Sequence, residues 1–449
     1  MTPDDPGKRH RNFSFMLDYA GIATLGERIS GVSLMRADGT QVKFRRLMAG
    51  EYLAEDDFEG FSYTIDLTPL KEPRAAAHIS WLTDEGGILF FPDMLPLAKI
   101  SSVEVKKGTD VITTYNRFDP LQLRNTLDLI YGPNRLKYGL VAYYGSDSRI
   151  KQVVSGSTDL TVRIGGKWKF SDETARKMSI EILSNYERFY GSSPLLPIDI
   201  TVKPFPVKVS VGTYEADTRG NYVTIVSSDM PFESESVQRL HEILRHEIFH
   251  LWIPNGVNLS GNFDWFYEGF ALYQSLKLGV AVNRIRFDDY LYTLSRAYDL
   301  DRAQTQKISL IDVSRNRWVG SNNTRVYARG MLVAFLCDLA LLEKSKGKRS
   351  VADLLRQLYE RHRPPNSETD GNTAVLALLR SHRELAPILD RNITGSESIE
   401  WNDLLKGAGL EAEQKGQMTK LKVTAKPSGR QKDLLDKLGY NNWRKLVSK

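Results

Sequence analysis

The sequence predicts an α+β protein, with a β-rich N-terminal domain followed by a mostly helical part. Three observations carry this. Up to about residue 165 the chain alternates in period two, with β-branched and aromatic residues between turn signals. At about residue 168 the apolar period changes to that of a helix. Beyond residue 232 helical spacing dominates up to Leu410. With 449 residues the chain is long enough for a sizeable core.

The strands come first. "GVSLMRA", "QVKFRRL", "FSYTIDL" and "DLTVRIG" each read as one within residues 1–165. The next stretch, "GKWKFSDETARKMSIEILSNYERFYGSSP", predicts a helix. Ser171 caps it, Asp172 and Glu173 favour its positive end, and Gly191 stops it. Ala175, Met178, Ile182, Tyr186 and Phe189 form its apolar face. Two short strands follow, "PIDITV" and "NYVTIVSS", and the second is expected at a sheet edge where an extended peptide could pair. Residues 166–279 are read as one unit with a small sheet and two key helices, and 280–410 as its helical completion. Residues 411–449 are read as a basic, solvated and dispensable tail, with a short helix at "QKDLLDKLG".

Composition narrows the function. Hydrophobic residues make up 41% and charged residues 26%, the balance of a soluble globular chain. No apolar run is long enough for a transmembrane helix. The start, "MTPDDPGKRHRNFSF", lacks the apolar core of a signal peptide. A cytoplasmic address follows if this is the native start, and export if a signal has been trimmed. Cys337 is the single cysteine, so intramolecular disulfides and thiolate metal clusters are excluded. It lies in "MLVAFLCDLALL" and reads as a buried structural thiol. The net charge is +6, but residues 415–449 alone hold ten Lys/Arg against two Asp. The remainder is near neutral, so no nucleic-acid partner is expected.

Three of the seven histidines fall in "LHEILRHEIFHLW". His246 and His250 are four apart, so on a helix they share a face and can reach one metal ion. Glu247 sits at the edge of that face, where it can take a proton from a water at the metal. The other reading is two half-buried helix histidines. His241 is five residues from His246, about 140° round the helix, and reads as a non-ligand. An open zinc site needs a third protein ligand. Glu268 in "GNFDWFYEGFALYQSLKLG" supplies one, on a helix that Asp264 can start and Gly279 can end. A carboxylate among Trp265, Phe266, Phe270 and Leu272 is costly unless it is paired or metal-bound, so a salt bridge is the alternative.

The string "HEIFHLWIPNGVN…DWFYEGFA" resembles the gluzincin metallopeptidases. It shares the H-E-x-x-H-x-W and E-G-F-A elements of the aminopeptidase N family and of the glycyl aminopeptidase family. Seventeen residues separate His250 from Glu268, one fewer than in the aminopeptidase N pattern. From about Trp168 to Leu410 the chain is similar to the glycyl aminopeptidase family, through "WKFSDETARKMSIEILSNYERFYG", "YARGMLVAFLCDLALLEKSKGKRSVADLLRQLYERH" and "LDRNITGSESIEWNDLLKGAGL". The resemblance implies a thermolysin-like catalytic domain and one zinc per chain. It also implies that Tyr327 of "YARG" donates to the tetrahedral oxyanion, with Arg329 where the family has lysine. "VGTYEAD" sits where the family reads a free α-amine, so Gly212 and Glu215 are implied in substrate binding. Thr213, Tyr214 and Ala216 depart from that pattern, and a solvent-exposed loop glutamate is the other reading of Glu215. Many relatives carry a C-terminal PDZ domain, which is not expected in residues 411–449.

The resulting expectation is a zinc-dependent peptidase that removes N-terminal residues from a peptide or protein substrate. His246, His250 and Glu268 would hold the metal, Glu247 and Tyr327 would do the chemistry, and Glu215 would anchor the amine. A zinc endopeptidase on the same fold is one alternative. A non-catalytic gluzincin-fold binding protein is the other.

Overall fold

The computed structural model describes residues 11–97, 106–107, 110–111, 141–145, 148–156 and 158–442. The opening ten residues, positions 112–140 of the region read as β-rich and the last seven residues of the basic segment lie outside the described residues. The fold is α+β, strand-rich first and helical afterwards, as expected. It forms two compact units. The first comprises Met1–Gln152, Thr161–Asp172 and Asp199–Phe232. The second comprises Val153–Leu160, Glu173–Ile198 and Glu233–Lys449, so the segment 166–279 contributes to both.

In the first unit, strand Glu51–Ala54 pairs with Asn12–Ser14 and Phe44–Met48, and strand Ile29–Met35 pairs with Gln41–Val42 and Gly60–Ile65. Phe13, Ile29, Leu34, Val42 and Tyr52 from these strands share one apolar cluster with Phe15, which follows the first of them. A third small sheet places Ile88, Phe90, Val141 and Tyr143 against Tyr222 and Val226. Strand Tyr222–Ser227 is buried along its whole length. It runs parallel to Ile198–Pro204 on one side and antiparallel to Tyr214–Arg219 on the other. The edge of this five-stranded sheet is therefore Tyr214–Arg219, and the expectation that "NYVTIVSS" forms it is corrected. A strand paired on both sides and covered on both faces buries every side chain, Thr224 and Ser227 included, whereas an edge strand carries more polar residues.

The second unit is built on helices α1 (Asp172–Tyr190), α2 (Glu233–Phe249), α3 (Asp264–Ala281), α4 (Phe287–Arg302), α5 (Leu310–Arg315) and α6 (Asn322–Ser345). α6 is buried almost all round, which accounts for the apolar run around Cys337. α3 and α6 cross at two glycines. A Cβ on Gly269 would lie 2.3 Å from the carbonyl carbon of Gly330, so the two backbones touch.

The basic segment is not a solvated appendage. Leu410–Lys415 and Met418–Val423 form a hairpin, and α7 (Gly429–Leu438) follows it with a capping box at Ser428 and Gln431. The Leu421 N–H donates to Ser295 Oγ of α4 at 2.9 Å, and the Thr419 N–H donates to Asp299. Leu421, Leu434, Leu435 and Leu438 are buried. Each such leucine is worth about 1.5–3 kcal/mol on burial. The lysines stand on the outer faces of these elements, so the charge count hid an apolar stripe.

Candidate active site

Glu233 and Glu235 favour the start of α2 against its dipole, and Leu240, Ile243, Leu244 and Ile248 bury its inner face. From α1, the Tyr186 hydroxyl donates to the Arg245 carbonyl at 2.8 Å. Trp252, just beyond α2, is fully buried and stacks on Tyr190 with centroids 5.1 Å apart. α2 ends at Phe249, and the His250 N–H bonds the Glu247 carbonyl at 3.1 Å in a tightened last turn. His250 thus lies one residue past the helix, yet its ring still meets that of His246 edge to face at 4.7 Å.

His246, His250 and Glu268 converge. His250 Nε2 is 3.1 Å from His246 Nε2 and 3.5 Å from Glu268 Oε2, and His246 Nε2 is 3.2 Å from the same oxygen. Four-coordinate zinc with ligand bonds of about 2.0–2.1 Å sets neighbouring donors about 3.3 Å apart, so the triangle matches one face of its tetrahedron. The chemistry fits as well. His250 Nδ1–H donates to the Ile253 carbonyl at 3.0 Å, which leaves the Nε2 lone pair facing the other two donors. With both rings neutral, two imidazole lone pairs and a carboxylate oxygen at this spacing suit one shared cation. Among the described residues this is the single cluster of three or more His, Cys, Asp or Glu side chains so disposed.

Glu268 is held at both oxygens. Its Oε1 accepts from Arg317 Nη1 at 3.1 Å while Oε2 faces the histidines. Burial opposes its charge, yet Arg317 and the two histidines hold its carboxyl well below the usual carboxylate range. Arg317 is itself buried and binds Asp264 Oδ2 at 3.0 Å, Asn323 Oδ1 at 2.8 Å and the Tyr327 hydroxyl at 2.7 Å. The Tyr267 hydroxyl donates to the other Asp264 oxygen at 2.7 Å. Burial and the Glu268 charge push the Tyr327 phenol up, and Arg317 pulls it the other way. Glu247 is buried on α2 beside His246, and its charge bears on both His250 and Tyr327. In the ion-free site His250 is pushed up to about 9, because the Glu268 hydrogen bond and charge outweigh its burial.

The remaining candidates fall elsewhere. His241 is fully buried beside Arg245 and does not join the cluster; burial and the neighbouring arginines lower it to about 3. Arg329, expected where the resembled peptidases have lysine, is a structural tie. It pairs with Asp301 at 2.9 Å and donates to the Asn392 and Glu397 carbonyls. Cys337 is buried, with its thiol pushed up. Gly212 and Glu215 belong to the first unit. Gly212 has φ +82°, the left-handed conformation that favours glycine, and its N–H donates to Ser228 Oγ. Glu215 pairs with Val226 on the edge strand and is half-buried rather than loop-borne. Burial, opposed by Arg74 and assisted by Glu72, raises it to about 7.

Sequence reasoning missed Arg317, Asp264 as its partner, and Tyr267. Arg317 sits in "RNRWVG" between α5 and α6, where no periodicity or motif marks it.

No family model and no curated protein sequence matches the chain. Solved structures do. An aminopeptidase N family protein from Idiomarina loihiensis is similar with a TM-score of 0.68 and 13% identity, over 91% of this chain and 75% of that one. A mutant M1 zinc metallopeptidase from Deinococcus radiodurans, bound to a Tyr-Ser-Ala substrate, gives 0.50 at 11% identity, over 82% of this chain and 87% of that one. A two-domain M1 zinc metallopeptidase mutant bound to L-tryptophan gives 0.50 at 12%, over 83% and 88%. At these identities the likeness is one of fold, and the fold is that of the two-domain M1 peptidases.

Proposed function

We propose that this chain is a zinc-dependent peptidase that removes residues from the N-terminus of a peptide. The observation that carries the first half is the donor triangle of His246, His250 and Glu268, with Glu247 and Tyr327 beside it. Zinc held there would act as a Lewis acid on the scissile carbonyl and make water acidic at neutral pH. Glu247 takes a proton from the attacking water and delivers it to the leaving amine nitrogen. Tyr327 donates its hydroxyl to the carbonyl oxygen as that atom gains charge. Burial of Glu247, Glu268 and Arg317 lowers the local dielectric and strengthens each of these interactions.

The choice of the N-terminus rests on Glu215. Gly212 and Glu215 occupy the chain position at which the resembled peptidases read a free amine. A half-buried carboxylate raised to about 7 by burial gains most from an arriving ammonium group. The altered residues Thr213, Tyr214 and Ala216 favour the endopeptidase as the second reading.

One experiment separates the readings. Purified protein is assayed for zinc and then given matched peptides with free and acetylated N-termini. About one zinc per chain and stepwise release of residues from free-amine peptides alone is the expected result. Internal cleavage of acetylated peptides at equal rates would select the endopeptidase. Bound zinc without hydrolysis of either set would select a binding protein on this fold.

A further inference from the structure

We infer that Arg317 is the positioning residue of this site: it fixes which oxygen of Glu268 is offered to the histidines, and it presents Tyr327 as a hydrogen-bond donor. The first half rests on donor geometry alone; the second rests on the peptidase reading above.

A carboxylate has two equivalent oxygens and rotates readily about its last bond. Glu268 does not have that freedom. Arg317 Nη1 holds Oε1 at 3.1 Å, which leaves Oε2 as the oxygen 3.2 Å from His246 Nε2 and 3.5 Å from His250 Nε2. One oxygen is therefore committed to the guanidinium and one to the ligand triangle. The phenol is treated in the same way. A tyrosine hydroxyl has one proton and two lone pairs. Arg317 Nη2 donates into the Tyr327 oxygen at 2.7 Å. An arginine is always a donor, so Tyr327 keeps its own proton for an acceptor.

The placement of Arg317 is built in. Its N–H caps the end of α5 at the Ser314 carbonyl, 3.1 Å away. Ser314 Oγ accepts from the Trp265 N–H at the start of α3 and donates to Asn262 Oδ1 at 2.6 Å. On the α6 side, Asn322 donates to the Asn316 carbonyl at 2.9 Å and Asn323 accepts from Arg317 Nε at 2.8 Å. Asp264 Oδ2, at 3.0 Å, shares the Nη1 group with Glu268. The turn is thus pinned both to the helix that carries Glu268 and to the helix that carries Tyr327. A planar fork with five donors satisfies four partners at fixed angles, which a lysine ammonium cannot do.

The test uses full-length holoprotein with Arg317→Gln and Arg317→Lys, and two readouts. The first needs no peptide: zinc affinity by chelator competition, and the visible spectrum of the Co(II)-substituted protein. Arg317→Gln is expected to weaken zinc binding by about 10- to 100-fold and to change the Co(II) bands. Arg317→Lys should fall between, and it serves alone if the Gln variant does not fold. Wild-type affinity and spectrum in a folded variant, the lysine variant included, would overturn the Glu268 half. The second readout is a double-mutant cycle with Tyr327→Phe. Arg317→Gln should lower kcat by about 10²-fold or more with KM little changed, and should cost far less in the Tyr327→Phe background. Fully additive losses would overturn the Tyr327 half. If the wild type cleaves no peptide while the metal readouts shift as expected, the peptidase reading fails, the Tyr327 half falls with it, and the Glu268 half stands.

Discussion

Glu268 and Glu215 are both withdrawn from water, and their surroundings treat them in opposite ways. Around Glu268 on α3 the fold has installed Arg317 and two histidines, and the carboxyl stays ionised far below its usual range. Around Glu215 on the edge strand, burial dominates and Arg74 only partly offsets it, so the group titrates at about 7. Burial penalises a carboxylate in both places. Where positive charge is built in, the result is a permanent anion, suited to holding a cation continuously. Where it is not, the result is an acid that is half neutral under ordinary conditions and improves when a cation arrives and leaves. On the function proposed above, the first arrangement suits a resident ion and the second a substrate that turns over.

The comparison can be broken at its strongest point by Glu268→Ala. That variant is expected to lose most of its zinc and with it all hydrolysis, as measured by metal analysis after gel filtration. Full retention of zinc would remove Glu268 from the ligand set.

Glu247→Gln is expected to be the next largest effect, because an amide cannot accept the proton. Zinc content and the folded circular-dichroism spectrum should be unchanged while kcat falls by about 10²–10⁴-fold. Loss of metal in this variant would mean that Glu247 is a ligand rather than a base.

On the other carboxylate, Glu215→Ala should lower kcat/KM on free-amine peptides by about 10- to 150-fold, the worth of one charge-assisted hydrogen bond. Acetylated peptides should be poor substrates for both proteins. Equal losses on the two substrate types would show that Glu215 supports the strand rather than the amine.

The smallest effect is one of pH. The folded pKa of Glu215 lies at about 7, above its ordinary 4.5. The proton is therefore bound more tightly in the folded chain. The stabilisation this represents is complete below the unfolded pKa and is lost as pH rises through about 7. Glu215→Gln should accordingly gain stability relative to wild type at about pH 8 and not at about pH 4, read as the change in Tm. Wild-type efficiency on free-amine peptides should rise through about pH 7, and that limb should vanish in the variant. A rise that persists in Glu215→Gln belongs to another group.

The legible part of this molecule was the part whose chemistry repeats along a helix. His246 and His250 declare themselves by a spacing of four, and Glu268 by a carboxylate set among aromatics. The β-rich start and the helical remainder followed from the change of apolar period. Arg317 was illegible because its role depends on three helices meeting at a turn, and nothing in "RNRWVG" encodes that meeting. The sheet edge is not legible in "NYVTIVSS", because which strand lies outermost depends on pairing with Ile198–Pro204 and Tyr214–Arg219, which the strand's own residues do not encode. The C-terminal segment misled for another reason: ten cations were counted, and Leu421, Leu434, Leu435 and Leu438 were not.

The contact between Gly269 and Gly330 has a consequence for how this site ages under heat. Glu268 precedes one glycine, and Tyr327 stands almost one turn before the other. Most helix pairs are separated by a layer of side chains, and warming swells such layers, so distances across them drift. Here the two main chains bear directly on each other at the crossing, with no side-chain layer between them at that point. The clearance from carboxylate to phenol is therefore expected to hold its cold value until the helices part. Geometry of this kind fails as a step, and activity should fall with the cooperative unfolding of the pair instead of fading ahead of it.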